Sequence, residues 1–262
     1  MKRVLERYLR AVGPQALGWY VDAEGDCQRL DAAGWERLWQ GMADARSTGI
    51  HLLEHCETVS GYAFEYHGRS LAPSPEQALG ASSAVAFWLP TEYLELQGPE
   101  RVRELALELA RELPFNSGHA SLSFHALENY SGVSEAILQH CFRYPGMDIP
   151  EMGIASLELG TRVRGAYWLT FLGAPVLDEL GGAAGLRAHL GSADITVEPL
   201  GEGRVVVTLG EWPEAGDTEQ GRMLPLHREL ARVLEPWLYE EQTRRTAFTE
   251  QDMRRWHRRF LD

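Results

Sequence analysis

The chain has 262 residues, of which 44% are hydrophobic and 24% charged, and its formal net charge is −13. This composition is typical of a soluble globular protein and excludes a disordered chain, a collagen-like repeat and a small disulfide scaffold. The excess of acid disfavours direct contact with nucleic acid, because phosphate binding depends on Lys and Arg. It favours encounter with a basic partner, although solubility alone would also explain it.

The cysteines and the first residues predict a cytoplasmic protein without a membrane span. No apolar run approaches the roughly 20 residues of a spanning helix, and the N-terminus lacks the apolar core of a secretory signal. Cys27, Cys56 and Cys141 are widely spaced and odd in number, which predicts reduced thiols. Cys56 follows His55 and Cys141 follows His140, but a catalytic pair needs hydrogen-bond reach in space and adjacency in sequence does not provide it, so buried, inert cysteines are expected rather than thiol–base pairs.

In the first half of the chain, hydrophobic periodicity predicts helices and strands in alternation. Helices are predicted over Val4–Val12, from the cap Asp31 through Met42, from Pro99 to Pro114, and over Val133–Phe142. Strands are predicted over Leu17–Val21, Gly49–His55, Tyr62–His67, Ser83–Leu89 and His119–His125. The run Ser83–Leu89 is almost entirely apolar, which is typical of a central strand buried on both faces.

The second half repeats the order strand, helix, strand, strand after a turn at Tyr144–Asp148. Strands are predicted over Ala166–Leu172, Ile195–Pro199 and Val205–Leu209. Helices are predicted over Pro175–Leu190, Leu224–Glu241 and Phe248–Phe260, the last capped by Thr249.

Hairpin pairing with helices laid alongside indicates an α+β fold with largely antiparallel mixed sheets and flanking helices. We expect one compact domain over residues 1–262. Within it, two similar sub-halves are predicted at about 1–145 and 146–242, followed by an Arg-rich C-terminal helix over 243–262.

Sequence motifs of common enzyme classes are missing, including the P-loop, G-x-S-x-G and H-E-x-x-H. His51 and His55 are four residues apart, and His119 and His125 six apart. On strands these pairs are separated by about 13 Å and 20 Å, too far to chelate one ion through bonds of about 2 Å. We therefore expect no catalytic residues, no metal and no cofactor, although one histidine could join ligands from elsewhere in the chain.

The segment Glu211–Glu219 is the best candidate for partner binding. It follows a predicted strand and is punctuated by Pro and Gly, which indicates an exposed loop. The candidate contact residues are one large aromatic and four acids, namely Trp212, Glu211, Glu214, Asp217 and Glu219. A tryptophan among carboxylates suits an interface anchor with a charged rim. A tryptophan packed back over the preceding hairpin fits the composition equally well.

Five stretches carry a likeness to a known family: Phe87–Leu94 (FWLPTEYL), Leu113–Ala120 (LPFNSGHA), Arg143–Asp148 (RYPGMD), Gly165–Gly173 (GAYWLTFLG) and Leu209–Pro213 (LGEWP). With them the chain resembles, over roughly residues 15–240, the bacterial type VI secretion immunity family paired with VRR-Nuc nuclease effectors. The resemblance implies a non-enzymatic protein that binds a cognate nuclease toxin and blocks its access to DNA. The acidic charge and the lack of a secretory signal or membrane span agree with this, and predict action in the cytoplasm with no contact to nucleic acid or membrane. The resemblance assigns no individual contact residues.

Two other functions stay open at this point. One is a metal-dependent hydrolase that uses His119, His125 or Glu128 with residues from elsewhere, and the other is a non-catalytic scaffold. The segment Thr243–Asp262 holds six arginines and three acids. It either docks back on the acidic body or makes a separate partner contact, with nucleic-acid binding as a third possibility.

Overall fold

The computed structural model describes residues 1–43, 47–59, 61–69, 80–126, 130–240 and 245–262. The helices are α1 (Lys2–Val12), α2 (Ala32–Ala43), α3 (Thr91–Arg111), α4 (Val133–Cys141), α5 (Met152–Glu158), α6 (Val176–Glu179), α7 (Gly182–Ala188), α8 (Pro225–Leu234) and α9 (Glu250–His257). The strands are β1 (Trp19–Val21), β2 (Cys27–Arg29), β3 (Ser47–Leu53), β4 (Ala63–Arg69), β5 (Ala84–Trp88), β6 (Ser117–Ala120), β7 (Leu169–Leu172), β8 (Ile195–Gly201) and β9 (Arg204–Leu209).

The chain divides into two compact units, each with its own antiparallel sheet. The first comprises Met1–Pro114 and Glu151–Gly160, and the second comprises Phe115–Pro150 and Thr161–Asp262. The strand orders are β2-β1-β3-β4-β5 and β6-β7-β9-β8. The predicted α+β class with antiparallel sheets and flanking helices is confirmed. One compact immunity-type domain, with sub-halves at about 1–145 and 146–242, stays a prediction.

In the first unit, one face of the sheet carries the hydrophobic core. Leu52 of β3 and Phe64 of β4 pack there with Tyr8 of α1 and Leu105 of α3. Because side chains alternate along a strand, the neighbours of Phe64 on β4 point to the opposite face. Helix α5 packs against β4 and β5.

One sequence prediction in this unit is wrong in position. The run Ser83–Leu89 forms β5 at the edge of the sheet rather than at its centre, and it is apolar because Val85 and Phe87 join the core while α5 also packs against the strand. Gly98, with φ 81° and ψ 162°, interrupts α3, so the helical segment predicted to begin at Pro99 does begin there. The preceding helical segment, residues 91–97, was not predicted. Strand β2 and helix α5 were not predicted.

In the second unit, the core lies between the sheet and helices α6 to α8. The predicted hairpin over Ile195–Leu209 is confirmed, with β8 and β9 antiparallel. Buried residues of β9 pack with Leu186 of α7 and Leu230 of α8. Helix α9 begins with a capping box made by Thr249 and Asp252, as predicted for Thr249. Within the residues that the structure describes, no helix combines the length and apolarity needed to cross a bilayer.

The prediction of three reduced thiols is wrong for two of the cysteines. Cys27 and Cys56 form a disulfide with a Cα–Cα distance of 6.1 Å. The two cysteines are 29 residues apart in the sequence, one in β2 and the other three residues after the end of β3. Cys141 is a buried free thiol, and desolvation raises its pKa to about 11. The predicted burial of Cys141 is therefore confirmed, and a raised pKa favours the unreactive thiol form.

Candidate partner-binding loop

The acidic loop Glu211–Glu219 leaves the end of β9 in the second unit. Gly210, with φ 71°, turns the chain out of the strand. Trp212 is 46% exposed, and Glu211, Glu214 and Glu219 are exposed. The loop therefore places one large aromatic side chain and three carboxylates at the surface.

Asp217 has a different place from the other four candidate residues, because it is buried. Its Oδ1 atom accepts hydrogen bonds from the backbone amides of Glu219 and Gln220, which caps a short 3₁₀ turn over Thr218–Gln220. Arg143 donates to both carboxylate oxygens, Nε to Oδ1 at 3.1 Å and Nη2 to Oδ2 at 2.9 Å. These bonds hold the pKa of Asp217 below its usual value. Asp217 therefore holds the loop together rather than forming its exposed rim.

Arg143 fastens the acidic loop to the turn that follows α4. Besides the pair with Asp217, its Nη1 atom lies 2.7 Å from Oε2 of Glu219. The backbone amide of Thr218 donates to the carbonyl of Arg143 at 3.0 Å. A bidentate pair combined with backbone bonds fixes both orientation and position, so the loop is held in one conformation at this end.

Gly146 makes the second attachment of the loop. Its amide donates to the carbonyl of Ala215 at 2.9 Å. A Cβ atom at position 146 would lie 2.0 Å from the carbonyl oxygen of Glu214. Only glycine permits this approach of two backbones.

The described part of the Arg-rich C-terminal segment packs against other parts of the second unit, which agrees with the first of the three alternatives predicted for it. Nε of Arg259 donates to the carbonyl of Pro145 at 2.8 Å. Arg255 lies 4.0 Å from the centre of the Phe142 ring, and Arg258 pairs with Glu235 at 3.1 Å.

The histidine considered for hydrolysis belongs to a closed polar network. Nε2 of His119 donates to Oδ2 of Asp148 at 3.0 Å, and the Tyr167 hydroxyl donates to Oδ1 at 2.7 Å. The His119 ring also stacks on Tyr167 with centroids 3.9 Å apart. Burial alone would raise the pKa of Asp148, but the adjacent Arg164 and His119 outweigh it and hold this pKa well below its usual range.

Each member of this network is held by hydrogen bonds or ring stacking to the others. In the described part of the chain, His119 and His125 belong to no group of three metal-ligating side chains. Glu128, the third residue of that hypothesis, lies outside the described residues.

Sequence reasoning missed Arg143 and Gly146 as the supports of the loop. Both belong to the stretch Arg143–Asp148, whose Pro-Gly pair indicated a turn. Nothing local to that stretch indicated that it would receive a loop 70 residues further along the chain.

Comparison with known proteins gives a family and a fold. The sequence model of the family described as "Type VI immunity for VRR-NUC" matches residues 1–260. A search among curated proteins found no significant match. Among solved structures, a T6SS protein of Pseudomonas aeruginosa is similar with a TM-score of 0.78 and 20% identity, covering 98% of this chain and 75% of that one. At this identity the likeness concerns the fold.

Proposed function

This chain belongs to the family of type VI immunity proteins for VRR-Nuc, and from that premise we propose that it binds a cognate nuclease effector and blocks its access to DNA. The observation that carries the proposal is the family match, which extends over residues 1–260 of 262. Binding alone is sufficient for protection, so we propose no catalysed reaction.

Charge supports a contact with the DNA-binding side of the nuclease. An enzyme that cleaves DNA presents positive potential to the phosphates. An inhibitor with a net charge of −13 is attracted to that potential and competes with the substrate for it.

We propose that the acidic loop Glu211–Glu219 makes this contact. Trp212 is the apolar anchor, and Glu211, Glu214 and Glu219 form the charged rim. The loop is held in place by Arg143 and Gly146, so little conformational entropy is lost when a partner binds it. Asp217 contributes through the loop conformation.

We propose the cytoplasm as the compartment of action, because the DNA that the nuclease attacks lies there. The disulfide between Cys27 and Cys56 argues in the other direction, since disulfides form mainly in oxidising compartments. Alkylation before lysis measures the redox state of these two cysteines in cells. That measurement decides between the cytoplasm and an oxidising compartment.

The test is plasmid cleavage by the cognate VRR-Nuc effector. We expect cleavage to stop at a one-to-one ratio, with a complex on a sizing column. The double reversal Glu211→Lys and Glu214→Lys should weaken inhibition. Its matched control is Glu24→Lys with Asp26→Lys, which changes the net charge equally at another exposed turn.

The outcomes test nuclease inhibition separately from the role of the acidic loop as the contact. Undiminished cleavage and no complex with the wild-type protein would refute nuclease inhibition itself. Equal loss of inhibition in the two double variants would instead show that overall charge matters and that the acidic loop is not the contact.

A further inference from the structure

Three side chains with metal-ligating atoms meet on the first sheet, on strands β3 and β4. His51 lies directly opposite Glu65 in the antiparallel register. His67 is two residues beyond Glu65 on the same strand, so its side chain is on the same face. This face is opposite to the one that carries Phe64 and Leu52, and the three side chains are partly exposed.

The two histidines direct the same ring nitrogen at the same carboxylate oxygen. Nε2 of His67 donates to Oε1 of Glu65 at 2.7 Å, and Nε2 of His51 lies 3.8 Å from that oxygen. The ligand atoms of all three residues lie within 4.8 Å of one another. The two rings meet edge to face with centroids 5.3 Å apart.

These distances are close to those of a first coordination shell. Ligand atoms about 2.0–2.1 Å from a tetrahedral zinc ion are roughly 3.3 Å from each other. Closing the group around an ion therefore requires side-chain rotations and no change in strand register. The ion would replace the proton that now lies between His67 and Glu65, which is released on binding.

The chemistry of the three side chains suits a divalent ion. A neutral imidazole keeps the lone pair that a metal ion needs, and the Glu65 carboxylate adds one negative charge against the charge of the ion.

We propose that His51, Glu65 and His67 form a binding site for a divalent transition-metal ion of the zinc class. Two imidazoles and one carboxylate are a ligand set that such ions take, and three protein ligands leave a fourth position for water or an external group. Since the ligands come from two strands, the ion ties β3 to β4 and stabilises the first unit.

The test uses zinc and cobalt(II) salts on the full chain stripped of metal by a chelator. We expect calorimetry to show one zinc ion per chain, cobalt(II) to give visible d–d absorption, and zinc to raise the unfolding midpoint. His51→Gln is the first variant, because its side chain is 42% exposed and the change leaves the core untouched. The matched control is His55→Gln, four residues away, whose side chain is 63% exposed.

Loss of an outer-shell partner typically weakens metal binding by about tenfold to a hundredfold, and His51→Gln removes a direct ligand, so we expect it to weaken zinc binding by at least that much and to abolish the zinc-dependent shift in midpoint. His55→Gln should keep both. A second variant, Glu65→Gln, preserves shape and should also lose binding. The proposal is overturned if the wild-type chain binds less than one equivalent, or if His51→Gln and Glu65→Gln bind as well as the wild type. The latter result would mean that zinc is held by scattered surface histidines.

Discussion

Replacing Trp212 by Ala tests the acidic loop most directly. Trp212 is 46% exposed, and a buried tryptophan removes on the order of 200 Å² from water, so about 100 Å² is available to a partner. At about 25 cal/mol per Å², covering that surface contributes about 2.5 kcal/mol of binding free energy. The variant should therefore bind the nuclease about 60-fold more weakly.

The assay is a direct measurement of Kd for the nuclease by calorimetry or surface plasmon resonance, with circular dichroism to show that the variant is folded. Leu96→Ala is the matched control. Leu96 is 81% exposed but lies on α3, outside the acidic loop, so its removal should leave Kd unchanged.

Two results would refute this reasoning. A folded Trp212→Ala protein whose Kd changes less than threefold would show that the side chain is no anchor. A fall in the unfolding midpoint with an unchanged Kd would show that Trp212 packs over its own hairpin, the alternative that composition left open.

Three further predictions concern stability. Gly146→Ala should lower the free energy of unfolding, measured in urea, by about 1–3 kcal/mol through overpacking. Gly49→Ala should lower it less, because a Cβ atom at position 49 meets no other atom within 4 Å, and equal losses would contradict the close approach at position 146. Burial lowers the pKa of His227 from 6.5 to about 4, so between these pH values the unfolded chain binds more protons than the folded one. The free energy of unfolding should therefore fall as pH drops from 6.5 to 4, by up to about 1.4 kcal/mol per pH unit. In His227→Leu this pH dependence should be shallower, and an unchanged slope would refute the assignment. Under oxidising conditions, a thiol count in denaturant should find one free thiol, and a count of three would mean that Cys27 and Cys56 are not bonded. Cys27→Ser should lower the free energy of unfolding by about 3–4 kcal/mol, because the disulfide closes a loop over 29 residues.

Local sequence signals predicted most helices and hairpins because the relevant interactions act over a few residues. The stripe Val4, Leu5 and Tyr8 is buried in α1 as its spacing indicated. The amide of Gly34 donates to Asp31, the predicted cap, at 2.9 Å. The hairpin β8–β9 followed from two apolar runs and the glycines between them.

The candidate site was predictable only in part. Composition identified an exposed aromatic among acids, and Trp212, Glu211, Glu214 and Glu219 do lie at the surface. It could not distinguish Asp217 from the other acids. That distinction depends on Arg143, which is 74 residues away in sequence.

By itself, the sequence determined the acidic charge, the α+β alternation, the caps and the family likeness, because each of these is written in residue types and short spacings. Only the tertiary structure decided that β5 is an edge strand, that Cys27 meets Cys56, that Asp217 is buried, and that His51 meets Glu65 and His67. Each of these depends on which distant segments of the chain meet. Pairing of distant segments is governed by burial summed over a whole unit, and no short stretch of sequence encodes it.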